Sequence, residues 1–197
     1  MALRESASQT AGPYVHIGLT PNFCNITGVY PTDLGQEIVN SKTKGERITV
    51  TGRVFDGGGN VLKDALIEIW HADSNGLYNS PSETRGAADA NFTGWGRQPS
   101  DMETGAFTFE TVKPGTTPFP GGRIQAPHIT FWIVARGINL GLNTRLYFGD
   151  EDNSTDPVLK RIEHKDRIKT LLATRVGDTY NFDIHLQGEN ETVFFDI

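Results

Sequence analysis

Apolar and polar residues alternate with a period of two over 46–56 (ERITVTGRVFD), so that Ile48, Val50 and Val54 fall on one face of a strand. The run Gly57-Gly58-Gly59-Asn60 then makes a turn, and Val61-Leu62 restarts a strand. In 65–72 (ALIEIWHA), Ala65, Ile67 and Ile69 share a face, with Leu66, Glu68 and Trp70 opposite. Glu68, flanked by isoleucines, reads as a paired strand carboxylate rather than a catalytic acid. Further short strands are predicted at 107–112, 128–135, 145–148, 180–187 and 192–195. Many short strands between turn residues, without long helical repeats, predict an all-β sandwich of mixed sheets.

Three segments depart from this pattern. Asp156-Pro157 offers an N-cap followed by proline in a first helical turn. Leu159, Ile162, Ile168, Leu171 and Leu172 then recur at roughly helical spacing, which predicts short helices within 157–174 and a break near His164. Residues 80–97 are polar, rich in Gly and Asn and aperiodic, and predict a long loop of the kind that carries function. Over 2–23, Pro13 and Pro21 discourage regular structure and predict an extended arm. Such an arm is stable only against another surface, for example a second chain. The expected organisation is one domain over 1–197, with an arm at 1–23 and a β-sandwich core at 46–197.

Composition narrows the function classes. A net charge of −6 argues against a nucleic-acid-binding surface, which needs clustered Lys and Arg. The lone Cys24 excludes an intrachain disulfide framework and fits a reducing compartment. No apolar run reaches membrane-spanning length, and the start Met1-Ala2-Leu3-Arg4-Glu5-Ser6 lacks a signal-type apolar core. A cytoplasmic protein without membrane contact is expected.

Several motifs, in order along nearly the whole chain, carry a specific resemblance. They are Ser8-Gln9-Thr10-Ala11-Gly12-Pro13-Tyr14, Gly52-Arg53-Val54-Phe55-Asp56, Ile67-Glu68-Ile69-Trp70-His71-Ala72-Asp73, Gly76-Leu77-Tyr78, Lys113-Pro114-Gly115-Thr116-Thr117 and Gln125-Ala126-Pro127-His128-Ile129. Near the C-terminus come Phe182-Asp183-Ile184, Gln187-Gly188 and Thr192-Val193-Phe194-Phe195-Asp196. Together they resemble the intradiol catechol dioxygenases. The resemblance implies Fe(III) held by two tyrosinates and two histidines, because hard anionic phenolates stabilise the ferric state.

Position by position, the resemblance puts the first tyrosine ligand on Tyr78. It puts the second on Thr117, and the paired histidines on His128 and Thr130. A basic residue before the histidine pair falls on Gln125, so that charge is expected to be absent. One phenol and one imidazole are too few for a tight iron site, and a neutral threonine hydroxyl is a poor substitute. The expectation is therefore that this chain binds no iron and contributes no catalytic residue by itself. In family members built from two kinds of homologous chain, the resemblance implies that Fe(III) sits in the partner chain. Dioxygen and a carboxylated catechol would then meet at the interface of a higher-order hetero-oligomer. The pocket-lining residues contributed to that partner would be Thr10, Gly12, Pro13 and Arg136, with Tyr14 adjacent. Gly12 permits close backbone approach, Pro13 fixes chain direction, and Arg136 offers a permanent positive charge to an anionic substrate.

Plainer readings stand beside these. Tyr78 reads as a lining residue of a vestigial pocket. His128 at a strand start reads as a hydrogen-bonded structural histidine, and Arg136 alone as a surface ion-pair arginine. Trp70 and Trp95 read as packing aromatics. His16, His71, His164 and His185 form no ligand motif, and Gly57-Gly58-Gly59 precedes no phosphate-loop lysine. The competing function is a non-enzymatic, transthyretin-like β-sandwich binding module, to which the 51–69 pattern alone would also belong.

Overall fold

Alternating apolar residues do build a sandwich. The computed structural model describes residues 10–139 and 141–196. Its elements are α1 (Pro13–Leu19), β1 (Arg47–Phe55), β2 (Leu66–Trp70), β3 (Trp95–Pro99), β4 (Ala106–Val112), β5 (Thr117–Phe119), β6 (Arg123–Gln125), β7 (His128–Val134), β8 (Leu142–Phe148), β9 (Leu172–Val176), β10 (Thr179–Asn181) and β11 (Ile184–His185). Short 3-10 helices lie at Leu159–Arg161 and Lys165–Leu171.

Strand β1 pairs antiparallel with β4 and parallel with both β10 and β11. Strand β7 lies between β2 and β8, both antiparallel to it, and β3 closes that edge on β2. Strand β9 links the two halves, parallel to β8 and antiparallel to β10. Between the halves, Val50, Val54, Phe107 and Phe109 meet Ile67, Ile69, Ile129, Phe131, Ile133, Leu146 and Phe148. Phe131 packs edge-on to Phe107 at 5.9 Å and against Phe182 at 5.3 Å. Burying each such side chain stabilises the fold by about 1.5–3 kcal/mol relative to exposing it.

Gly52, in the middle of β1, is explained by a close approach. A Cβ there would stand 1.9 Å from the Phe182 carbonyl oxygen and 2.9 Å from the Phe107 ring. Gly52→Ala is expected to destabilise the chain by about 2–3 kcal/mol through overpacking. A lower denaturant midpoint at unchanged m would show it, and an unchanged midpoint would refute it.

Some boundaries differ from expectation. The segment 180–187 divides into β10 and β11, because Phe182 donates to Thr51 and the Arg53 amide turns instead to the Asp183 carboxylate. Residues 192–195 form no strand and keep one bridge, Asn143 to Phe195. The β5–β6 hairpin was not signalled, and β3 takes the last residues of the predicted 80–97 loop. The helical stretch ends at Leu171, where β9 begins, and breaks at 162–164. Its start is corrected from Asp156-Pro157 to Leu159, with Val158 at the cap position, although Asp156 Oδ1 does accept from the Val158 and Leu159 amides at 2.8 and 2.9 Å. The extended arm is corrected to a helix over Pro13–Leu19. Proline at the first helical position lacks only an N–H that would have had no helical partner. Residues 2–9 of the predicted arm lie outside the described residues. Among the described residues no helix is long and apolar enough to cross a membrane.

Candidate functional site

The ligand positions inferred from the sequence converge on the outer face of the β2–β7–β8 sheet. Trp70, Thr130 and Arg145 stand in one cross-strand row, and His128 pairs with Tyr147 in the next. Residues paired in this way project from the same face. Tyr78 reaches the row from the turn after β2. The Asp73 carboxylate holds that turn, accepting from the Asn75 and Leu77 amides at 2.8 and 3.0 Å. The Asp73 carbonyl takes the Gly115 amide at 2.9 Å, and a Cβ at Gly76 would fall 2.0 Å from the Thr116 carbonyl oxygen. The two turns are therefore pressed together, which is why positions 78 and 117 meet. Tyr78 stacks on Trp70 with centroids 5.9 Å apart, beside the Thr117 side chain. Burial raises its phenol pKa above the usual tyrosine value.

From Thr117 a buried polar chain continues. Gln125 donates to Thr117 Oγ1 at 3.1 Å, and Arg145 donates to Gln125 Oε1 at 2.8 Å and to the Tyr147 hydroxyl at 3.4 Å. Tyr147 donates to Asp156 at 3.3 Å, and Asp156 also takes the Ala126 amide at 2.8 Å. His128 lies under this chain, 3% exposed, with Nδ1 2.8 Å from the Ala126 carbonyl. Burial, then the Arg145 charge, lowers its pKa to about 4, so it is neutral at pH 7.

Arg145 is the residue that sequence reasoning missed. The positive charge expected to be absent with Gln125 is present, delivered across the strand by Arg145 and hydrogen-bonded to Gln125 itself. No motif signalled it; a basic residue in a half-polar strand reads as surface, and only its register with Thr130 reveals it. The donor set does not suit ferric iron. It offers one phenol, one imidazole and two neutral hydroxyls around a permanent cation. Among the described residues, no group of three or more His, Cys, Asp and Glu is placed to hold a metal.

The second set gathers at the other end of β7. Thr10 Oγ1 donates to the Ala135 carbonyl at 3.4 Å and accepts from the Gly137 amide at 2.8 Å, so it brackets Arg136. Gly12 caps α1, which Pro13 begins, and Tyr14 is 84% exposed. Arg136 Nε lies 2.9 Å from Asp64, and the Arg136 side chain is 76% exposed. His16 contacts the Asp64 carbonyl at 3.0 Å. A cavity of about 570 Å³ opens between Gly12, His16, Asp64 and Arg136. Ile17, Ile26, Val29, Tyr30 and Leu34 are exposed on the same N-terminal segment. From Thr130 to Arg136 the nearly extended chain covers roughly 20 Å at about 3.3 Å per residue. Among the described residues, the Thr10–Arg136 set and the Tyr78–His128 neighbourhood therefore lie toward opposite ends of β7.

The plainer readings fare well elsewhere. Glu68 is paired with Arg97 at 2.6 Å and accepts from Trp95 at 3.3 Å. His71 is buried against Thr111 and the Ala72 carbonyl, and burial lowers its pKa to about 4.

The family model described as "Dioxygenase" matches residues 19–188. The protocatechuate 3,4-dioxygenase alpha chain of Pseudomonas putida is 45% identical over 98% of this chain and 97% of its own length. The protocatechuate 3,4-dioxygenase beta chain of Burkholderia cepacia is 34% identical over 79% of this chain and 70% of its own. Among solved structures, the dioxygenase domain of a carbohydrate-binding fusion from Streptomyces sp. SirexAA-E is 27% identical. It covers 79% of this chain and 86% of its own, with a TM-score of 0.52.

Proposed function

This chain belongs to the intradiol dioxygenase family, and from that premise we propose that it is the alpha subunit of a protocatechuate 3,4-dioxygenase. The iron-bearing subunit is a homologous beta chain, which holds Fe(III), and this chain binds none. Its arm and Arg136 complete the beta chain's pocket, where dioxygen opens protocatechuate between the two hydroxyl-bearing carbons. The observation that carries this reading is the separation of the two clusters along β7. Thr10, Gly12 and Arg136 are exposed at one end, open to another chain. The exposed apolar residues around Tyr14 supply a surface for that chain. Likeness to both an alpha and a beta chain supports a pair of homologous subunits. The lone Cys24 supports residence in the reducing cytoplasm.

In this role Arg136 meets the substrate carboxylate, and Asp64 and Thr10 hold the arginine and its flanking backbone. Losing a hydrogen bond to a charged group costs about 1.5–3 kcal/mol, so Arg136→Ala in the complex is expected to lower kcat/KM for protocatechuate about ten- to hundredfold. Iron content and the visible absorption of the complex should stay unchanged. Steady-state kinetics and metal analysis on the same preparation check both. Unaltered kcat and KM would overturn the assignment of Arg136. Iron that follows this chain rather than its partner on separation would overturn the division of labour.

A further inference from the structure

We infer that the cavity beside Arg145 is a metal-free binding site for a small aromatic monocarboxylate. It encloses about 490 Å³ on the outer face of β7 and β8, within the range of small-molecule pockets. Thr130, Asn143 and Arg145 line it from the sheet. Phe119 and Phe195 supply aromatic walls, with the Arg161 guanidinium 5.1 Å from the Phe119 ring and that of Arg145 5.9 Å from Phe195. Arg145 spends Nη1 on Gln125 and Tyr147, both neutral. Among the described residues neither Arg145 nor Arg161 pairs with a carboxylate, whereas Arg167, also on the wall, pairs with Glu191 at 2.8 Å.

A guanidinium fork with donors to spare recognises a carboxylate, and an arginine–aromatic wall recognises the face of a ring. The exposed Glu163 and Asp196 also border the cavity and repel a second negative charge. The site therefore prefers one carboxylate on one ring to a dicarboxylate or phosphate. Occupancy here involves no bond making, and the inference stands apart from the subunit reading.

The test is calorimetric titration of benzoate into the full chain as purified, with any chain that accompanies it. Benzoate lacks the adjacent hydroxyls that a catechol presents to iron. One benzoate site per copy of this chain is expected, with acetate, benzyl alcohol and phthalate each binding at least about tenfold more weakly. Arg145→Gln should weaken benzoate by about tenfold or more, and Arg161→Gln by about fivefold with ring-cleavage kinetics unchanged. Arg161 is exposed and outside the buried polar chain, so its variant decides the matter even if Arg145→Gln fails to fold. Unchanged benzoate affinity in Arg161→Gln, equal affinity for benzyl alcohol, or no site traceable to this chain overturns the inference.

Discussion

Thr117→Tyr combined with Thr130→His is expected to leave this chain without iron as long as Arg145 remains. The pair of changes restores, on paper, two phenols and two imidazoles. Yet Thr130 and Arg145 are cross-strand partners. Side chains so placed lie about 5 Å apart, where a guanidinium and a ferric ion repel by several kcal/mol or more even at an effective dielectric constant of about 20. Adding Gln125→Arg, as the family pattern suggests, sets a second guanidinium against the first. Replacing Arg145 by Leu in the Thr117→Tyr/Thr130→His background removes the cation and frees Gln125. Metal analysis should then rise from below about 0.1 to above about 0.5 iron per chain, with a tyrosinate-to-iron band in the visible. Stoichiometric iron in the double variant with Arg145 intact would show that Arg145 is no barrier. No iron in the triple variant, if natively folded, would place the obstacle in the surrounding hydrogen-bonded shell.

Acidification from pH 7 to pH 4.5 is expected to cost this chain several kcal/mol of stability. His71 and His128 are both buried, and burial lowers each to a pKa of about 4. In the unfolded chain each titrates near 6.5. The folded state therefore holds fewer protons than the unfolded state between about pH 4 and 6.5, and stability falls as pH falls through that window. Above about pH 6.5 the stability is fully present. Each histidine accounts for up to about 3 kcal/mol, and their mutual repulsion in the charged state couples the two. The acidic groups Glu83 and Asp150 are held near 2, by Arg85 and by Arg175 with Tyr180 and Lys113, so they stay charged across this range. Urea midpoints at pH 7 and 4.5 measure the loss. His71→Gln should flatten the profile, and a pH-independent midpoint in the parent chain would refute the assignment.

The sandwich was legible because its strands alternate. Val50 and Val54 in β1, and Ile67 and Ile69 in β2, announce their faces without any knowledge of partners. The β5–β6 hairpin was not legible, since Thr117-Pro118-Phe119 and Arg123-Ile124-Gln125 are too short for alternation to show. Pro13 misled because proline was weighed as a breaker, when at a helix start it is a nucleator. Tyr78, Thr117, His128 and Thr130 were placed by motif, and the fold does bring their neighbourhoods together. Arg145 escaped because its meaning lies in register: a basic residue in a half-polar strand reads as surface, and only its pairing with Thr130 brings it beside the Tyr78–His128 neighbourhood. The Thr10 bracket on Arg136 was likewise invisible, since it spans more than a hundred residues.

The parallel pairing of β1 with β10 and β11 has a consequence for biosynthesis. Thr49 meets Thr179 and Val54 meets Ile184, so the middle of the sandwich is closed only once β10 and β11, more than a hundred residues after β1, have been made. Nascent chain held short of that point exposes one flank of β1 and the Phe107 side of the core. Folding of this kind, dominated by distant contacts, is slow and cooperative. A chaperone has its window before β10 and β11 are made.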